Sequence, residues 1–527
     1  MLREEKIWVA NNDKGSPLYI IPKMANRHGL VAGATGTGKT VTLKVLAETF
    51  SEMGVPVFMA DVKGDIAGIM KAGDESENMK ERIERFGLSE YNFTYKGFPV
   101  TFWDIYGKKG IQVRTTISEM GPLLLARILG LNDLQTDILN VVFKIADDNN
   151  LLLTDTKDLK SILAYVDKNS KDYEEEYGKI SSASIGVIVR SLVSLEKEGG
   201  DVFFGEPALN ICDWLTQDNG KGVINILDSS TLINNGKLYS TFLLWMMSEL
   251  FETLPEVGDL SKPKMVFFFD EAHLLFDDAP KVLLDKIEQM VKLIRSKGVG
   301  VYFCTQNPKD IPNGVLSQLG NKIEHGLRAY TPLEQKAVKA AAESFRANPE
   351  FNTYETILSL GTGEAVVSFL GEDGIPTIAE KAYILPPQCN FGTVSDSERD
   401  NKIKESLLYS KYAKAVDNDT AYEFLQRKGI EDAKAAEEAA KKAIEEKEAA
   451  REAEKKAKED AKKAKQEVAA RNKTIKTIGN SVVGTVGREM GKSVGKKFGS
   501  FGKTLGGNVG ASLGRGLLST LFKKWED

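Results

Sequence analysis

The sequence predicts an α/β fold with a mostly parallel central sheet, and three stretches carry that expectation. Leu30 to Ala32 is a short apolar run that empties into Gly33-Ala34-Thr35-Gly36-Thr37-Gly38-Lys39-Thr40, and Val41, Val45, Leu46 and Thr49 then recur at helix spacing. Val55 to Asp61 reads as a second apolar strand, ending in a carboxylate. Met265 to Phe269 is continuously apolar, as a parallel strand covered on both faces must be, and it ends in Asp270-Glu271. Strand, helix and strand at the first two spacings imply a parallel crossover.

The first stretch fits the phosphate-loop pattern G-x-x-x-x-G-K-[ST] without a mismatch, in the strand-to-helix context that the chemistry needs. Glycines let backbone N–H groups turn toward phosphate oxygens, and the helix N-terminus adds a favourable dipole. The expected nucleotide-binding residues are therefore Gly33, Ala34, Thr35, Gly36, Thr37, Gly38, Lys39, Thr40 and Val41. Lys39 is placed to reach the β- and γ-phosphates of ATP, and the Thr40 hydroxyl to ligate Mg2+. The bland alternative is a Gly/Thr-rich turn that binds nothing.

Asp270, at the tip of a buried strand, suits a second metal ligand of the Walker B kind, and Glu271 is the natural residue to polarise an attacking water. A surface pair of acids is the alternative, and the Phe-rich strand before them argues against it. Gln306 follows the next strand, where a neutral amide can sense the γ-phosphate. Arg328 is the candidate arginine finger, with Arg295, Lys297 and Arg190 as competitors and a surface ion pair as its ordinary reading. Asp61 either joins the outer shell of the metal or caps the loop Lys63-Gly64-Asp65. His28, His273 and His325 make no triad or metal spacing, and Cys212, Cys304 and Cys389 are scattered and read as small buried residues of a reducing compartment.

At 527 residues the chain exceeds one ordinary core. Its 42% hydrophobic and 28% charged residues describe a globular protein, and the net charge of −5 confines any nucleic-acid contact to a local patch. With no apolar run of bilayer-spanning length and no signal peptide at Met1-Leu2-Arg3-Glu4-Glu5, the expected compartment is the cytoplasm.

Along the chain, residues 1–114 hold a hairpin (Ile7 to Ala10 and Leu18 to Ile21) and the first part of the nucleotide-binding core, with a third strand at Val100 to Ile105. Residues 115–200 have helical period and read as an insertion. Residues 201–395 resume the core with strands at Gly222 to Asp228, Gly300 to Thr305, Ile323 to Tyr330 (carrying Arg328) and Ala365 to Leu370, and the folded body is expected to end near Pro387. Residues 396–470 are grouped as a charged Ala/Glu/Lys-rich helix, too poor in apolar residues for a coiled coil and supported by i,i+4 Glu–Lys pairs. In 471–527 glycine recurs every three or four positions from Gly484 to Gly514 among Lys and Arg, which suits either a flexible tail or a helix formed on contact with a membrane or a partner.

Together these motifs resemble the HerA/FtsK branch of P-loop ATPases, and most closely the HerA-like helicase C-terminal domain family with its YjgR-like members. The likeness is carried by Asn26 to Thr40, by Ala60 to Asp65, by Phe269 to His273, and by Arg295 to Gly300 leading to Thr305-Gln306-Asn307-Pro308. It covers residues 5–390, and the tail is similar as well. The resemblance implies a RecA-like fold, ATP hydrolysis, homo-hexamers and nucleic-acid translocation. HerA proper carries an N-terminal β-barrel that docks a nuclease. The residues ahead of the phosphate loop are too few for a full one, so the barrel is expected to be absent or vestigial, which weakens the ground for a nuclease partner and DNA end processing. Two readings follow: a ring-forming ATPase that translocates DNA, or an ATP-driven remodeller whose tail engages a protein or, peripherally, a membrane. A non-hydrolysing scaffold conflicts with an intact Glu271.

Overall fold

The computed structural model describes residues 1–276 and 281–471. In chain order the strands are β1 (Leu2–Arg3), β2 (Lys6–Asn12), β3 (Pro17–Ile20), β4 (Gly29–Ala32), β5 (Val57–Asp61), β6 (Val100–Asp104), β7 (Ile111–Gln112), β8 (Gln217–Asp218), β9 (Lys221–Gly222), β10 (Ile224–Asp228), β11 (Met265–Phe269), β12 (Val299–Thr305), β13 (Asn321–His325), β14 (Glu364–Ser368) and β15 (Glu380–Ile384). A 13-stranded sheet runs β1-β2-β15-β14-β13-β4-β12-β11-β5-β10-β6-β7 with β3 beside β2, and β8 and β9 form a separate hairpin. From β13 through β7 every neighbouring pair is parallel, whereas β14, β15, β2 and β3 continue the sheet antiparallel. The expected crossover from β4 to β5 is present, but β12 and β11 lie between its two strands.

β11 shows why a run of three phenylalanines suits the middle of this sheet. Side chains alternate across a strand, so Phe268 meets Phe50 and Tyr302 while Phe267 and Phe269 meet Phe58. Both faces are covered, and all five residues of β11 are buried. The helix after the phosphate loop, α1 (Lys39–Glu52), is buried from Thr42 through Ser51. Two of those buried side chains are charged, and a buried charge needs hydrogen-bonded partners. Lys44 Nζ donates to the carbonyls of Asn390 (2.9 Å) and Phe391 (3.1 Å). The Glu48 carboxylate accepts from the backbone N–H of Gln388 (2.9 Å) and Cys389 (2.8 Å). Residues 388–391 are thereby strapped across α1.

The insertion folds as helices Ile117–Met120, Pro122–Leu129, Asp133–Asp148, Thr156–Lys168, Ser170–Tyr177 and Ser182–Leu195. Capping boxes at Asn132/Gln135 and Asp155/Asp158 fix two of their starts. Its buried residues belong to the same hydrophobic core as the sheet. Among the described residues no single helix is long and apolar enough to cross a membrane.

Four expectations need correction. The strand carrying the sequence that leads to Arg328 stops at His325, so Arg328 lies beyond it. The long charged helix starts at Ala421 and not at Asp396. Helix Asp396–Glu405 instead lies on the sheet side of the body, where Arg399 Nη1 reaches Asp228 Oδ2 (3.5 Å), and Tyr412 is fully buried, so the body continues well past Pro387. Cys212 is exposed, unlike Cys304 and Cys389. Residues 1–432 form one unit. In the other, the helix continues to Arg471, with a Glu437–Lys441 pair at i,i+4 (2.9 Å). The glycine-rich tail, from residue 472 on, lies outside the described residues.

Glu324 on β13 is buried beside Ala32 of β4, and its Oε1 has no hydrogen-bond partner. Burial pushes its carboxyl from 4.5 up to about 8, against the charges of Lys322 and Lys39. The folded state therefore holds a proton that the unfolded chain releases. Stability falls as pH rises from about 4.5 to about 8, by at most about 1.4 kcal/mol per pH unit. Thermal denaturation of Glu324→Gln across that range is expected to show a shallower slope than wild type, with the variant's advantage greatest at pH 8 and above. Parallel curves would assign the wild-type slope to other groups.

Candidate active site

The strand order brings the predicted chemistry to one edge of the sheet. Asp228 is paired in register with Asp61, Ala60 with Phe269, Phe269 with Phe303, and Thr305 with Ala32. The carboxyl ends of β10, β5, β11, β12 and β4 therefore present Asp228, Asp61, Asp270-Glu271, Gln306 and Gly33 in a row. Ligands of open α/β sheets bind at this edge.

The phosphate loop is pinned at both sides. Gly33 N–H donates to Thr305 O (3.3 Å) and Ala34 N–H to Gly326 O (2.9 Å). A Cβ on Gly33 would lie 2.5 Å from the Cβ of His325, and Gly38 holds φ +118° at the start of α1, so both positions require glycine. Thr37 Oγ1 closes the turn on Ala34 O (2.7 Å). Lys39 Nζ donates to Gly33 O (2.7 Å) and Ala34 O (3.1 Å), keeping the ammonium within the loop's own span. Thr40 and Val41 are half-buried on the first turn of α1.

Asp270 is buried, and only one of its oxygens is used. Oδ1 accepts from Glu271 N–H (2.9 Å), while Oδ2 has no partner. Burial, then the neighbouring charge of Glu271, raises its pKa. Asp61 is similar: Oδ1 caps the loop through Gly64 N–H (2.7 Å), Oδ2 is unpartnered, and burial together with Asp65 pushes its carboxyl up to about 7. Such buried oxygens, orphaned at the mouth of the loop, fit a hard cation completed by phosphate oxygens and water better than an all-protein cage. Among the described residues no group of three or more His, Cys, Asp or Glu side chains could hold a metal by itself.

Glu271 adopts φ +48°, a left-handed conformation that is uncommon outside glycine and tends to mark functional sites. Its carboxylate is gripped from three sides. Lys63 Nζ lies 2.5 Å from Oε1, Gln306 Nε2 donates to Oε2 (3.2 Å), and His273 Nδ1 stands 3.3 Å from Oε2. Burial works to raise the Glu271 pKa, but the Lys63 hydrogen bond and charge, with the Gln306 amide, outweigh it and leave it lowered. Gln306 also accepts a hydrogen bond from Thr35 Oγ1 (3.4 Å), so one amide links Glu271 to the phosphate loop.

The arginine candidates are not drawn into this cluster. Arg328 is exposed, and among the described residues its guanidinium makes one hydrogen bond, to Leu358 O (3.5 Å). Arg295 lies 3.9 Å from Asp259, and Lys297 sits over the Phe251 ring. His28 and His325 are buried and structural. The former accepts from Val301 N–H, and the latter is hydrogen-bonded to Thr42 Oγ1 (2.8 Å). Sequence reasoning places Lys63 in the loop after Asp61 but misses its contact with Glu271. The signal that could have found it is strand order, since β5 and β11 are neighbours.

Residues 6–508 match the family described as helicase HerA-like C-terminal. The chain belongs to that family. It is 23% identical over 358 residues to the DNA double-strand break repair helicase HerA of Sulfurisphaera tokodaii, covering 65% of this chain and 62% of that protein. To the probable helicase MJ1565 of Methanocaldococcus jannaschii it is 23% identical over 350 residues, 66% of this chain and 60% of the relative. The chain thus spans about three fifths of the length of these curated relatives. Among solved structures it is similar to the bacterial conjugative coupling protein TrwB, with a TM-score of 0.50 and 16% identity, over 75% of this chain and 92% of that one. The family member described here accordingly has the RecA-like P-loop fold that its motifs implied.

A carboxylate buried with an orphaned oxygen costs stability, so Asp270→Asn is expected to raise Tm by roughly 2–6 °C at neutral pH without added nucleotide. A fall in Tm would show that the carboxylate serves the fold.

Proposed function

We propose that this protein is an ATP hydrolase that uses hydrolysis to drive translocation on DNA, working as a homo-hexameric ring in the cytoplasm. The observation that carries the hydrolytic part is the grip of Lys63 and Gln306 on Glu271, beside the orphaned oxygen of Asp270 and next to the phosphate loop. Surface acids have no need of such an arrangement. A water-activating carboxylate needs to stay ionised and aimed.

In this reading the loop N–H groups and Lys39 hold the β- and γ-phosphates. Thr40 and Asp270 would hold Mg2+, which when bound neutralises phosphate charge. Glu271 takes the proton of the attacking water, and its lowered pKa keeps it ionised at neutral pH. Lys63 must loosen its hold as that proton arrives, because its pairing favours the charged carboxylate. Gln306, spanning Thr35 and Glu271, reports the state of the loop to the base. Arg328 is exposed and weakly tethered, as suits a finger offered to a neighbouring subunit, with Arg295 and Arg190 the other candidates. The DNA assignment draws on the relatives, named as helicases. The remodelling alternative draws on the basic, glycine-rich sequence of 471–527 and takes a protein or a peripheral membrane as partner.

Glu271→Gln is expected to keep ATP binding and lower kcat by about 100-fold or more, whereas Lys39→Ala loses binding. If Arg328 acts in trans, mixing inactive Arg328→Ala with inactive Glu271→Gln restores measurable hydrolysis, because mixed rings contain intact interfaces. Absence of complementation in confirmed mixed oligomers excludes Arg328 as the finger. Steady-state ATPase measured with single- and double-stranded DNA at low salt, beside mass photometry of the same sample, decides between partners. Stimulation by DNA in a hexamer supports translocation. A verified hexamer indifferent to DNA, with liposome or protein binding lost on deletion of 471–527, supports the remodeller.

A further inference from the structure

The segment between the sheet and the long charged helix is anchored at both ends by buried polar groups, and its two ends sit on different parts of the body. At the sheet end, helix Asp396–Glu405 places Arg399 on Asp228 (3.5 Å). The guanidinium is buried and also lies over the Phe102 ring (4.8 Å). Lys109 shares Asp228 but is exposed, so Arg399 is the buried counter-charge of that carboxylate. Asp228 is in turn paired in register with Asp61, on the strand that neighbours the one leading to Asp270.

The segment is then pinned at short intervals. Tyr412 is fully buried, its carbonyl accepting from Arg114 Nη1 (3.0 Å) and its hydroxyl donating to Asp213 while accepting from Asn210 N–H (3.1 Å). Val416 N–H donates to Glu206 O (3.1 Å), and Asn418 Nδ2 is hydrogen-bonded to the Glu206 carboxylate. At the far end the segment meets the helical insertion, where Asp158, 1% exposed, serves two helices at once. Its Oδ2 accepts from the backbone N–H of Thr154 (2.8 Å) and Asp155 (3.1 Å), at the start of helix Thr156–Lys168. Its Oδ1 accepts from Thr420 Oγ1 (2.6 Å) and Tyr422 N–H (2.8 Å), at the start of helix Ala421–Arg471. A helix start is ordinarily capped by a side chain next to it in sequence. Here the insertion caps a first-turn N–H of the long helix, and it adds Leu152 O for Ala421 N–H (3.1 Å) and Tyr165 OH for Lys428 Nζ (2.9 Å).

We propose that residues 396–423 are a relay that passes the nucleotide state of the carboxylate row to the root of the long helix, residues 421–432. The proposal rests on the nucleotide-binding reading above. A Mg2+-nucleotide arriving at the row changes the charge that holds Arg399 on Asp228, and the pinned segment carries the change to the Asp158 cap. Its physical basis is the cost of leaving buried polar groups unpaired. Arg399 cannot leave Asp228 without stranding a buried charge. Asp158 cannot release Thr420 and Tyr422 without stranding a buried carboxylate oxygen. Between these anchors the contacts at Tyr412, Val416 and Asn418 leave little slack to absorb a shift at one end. The root is also where the sequence leading to the basic tail begins, so the relay gives ATP a hold on that end of the chain without any ATPase motif lying in it.

Hydrogen exchange on the full chain, with and without Mg2+-ATPγS, reads both ends of the relay. In wild type the nucleotide is expected to change exchange at 421–432 by at least about threefold, alongside a change at the phosphate loop. Arg399→Met keeps bulk over Phe102 and removes the charge. It is expected to abolish the response at 421–432 while leaving the phosphate-loop response in place and Mg2+-ATPγS affinity within about twofold. Arg399→Lys is expected to restore part of the lost response. Asp158→Asn weakens the cap and is expected to speed exchange at 421–432 by at least about threefold without nucleotide. A wild-type response at the phosphate loop with none at 421–432 overturns the relay, leaves nucleotide binding standing, and needs no variant to fold. A wild-type response at 421–432 in Arg399→Met, a loss of nucleotide affinity in that variant, or unchanged exchange in Asp158→Asn also overturns it. A wild-type protein that does not bind Mg2+-ATPγS overturns the nucleotide-binding reading, and the relay with it.

Discussion

Asp228, Asp61, Asp270 and Glu271 stand on neighbouring strands at one edge of the sheet, and the rest of the structure is arranged around keeping these acids there. Like charges in a low-dielectric setting repel strongly. The fold answers differently at each position. Asp228 is countered by Lys109 and Arg399 (both 3.5 Å), Asp61 is pushed toward its neutral form, and Glu271 is held ionised by Lys63. Asp270 has no ion pair of its own among the described residues, the Lys63 charge acting on it only at a distance, and it keeps an oxygen without a hydrogen bond. A sheet stabilised for its own sake would have no reason to leave that deficit. In the function proposed above, a cation arriving with a polyphosphate would remove it, next to the one of these four carboxylates that is gripped by an amide linked to the phosphate loop.

The identity of the strands was legible in the sequence because a parallel strand buried on both faces leaves a continuous apolar run. The loop was legible because glycine, lysine and threonine are needed at fixed offsets. Strand order was not legible. Each strand pairs with neighbours far away in sequence, and nothing local in Val57–Asp61 says that Met265–Phe269 will lie beside it. That is why Lys63 was read as a loop residue and not as the partner of Glu271. The end of the strand before Arg328 was not legible for a related reason. Apolar residues continue past His325, but Gly326 O is taken by Ala34 N–H of the phosphate loop, and the chain leaves the sheet there to hold the loop in place.

The charged texture after Ser395 misled in the same physical sense. Composition averages over a segment, whereas packing is decided by single residues within it. Arg399, Ile403 and Tyr412 are buried inside a mostly polar stretch, and with Leu408 and Tyr409 they tie 396–420 to the body. Glu398, half-buried within the same helix, is hydrogen-bonded by Lys71 and by the side chain and backbone of Ser395, which hold its carboxyl down at about 2.

These contacts give the chain beyond the sheet a physical link to the nucleotide end of the molecule. Lys44 and Glu48 on α1 bind the strap at 388–391, and the strap leads within a few residues to helix Asp396–Glu405. That helix in turn places Arg399 on Asp228 at the end of β10, in the same row of acids as Asp270. One short segment therefore touches the helix that follows the phosphate loop and the carboxylate row that faces it. A displacement of α1 would pull on this segment, because among the described residues the side-chain hydrogen bonds of Lys44 and Glu48 all go to it, and breaking them would leave buried charged groups unsatisfied.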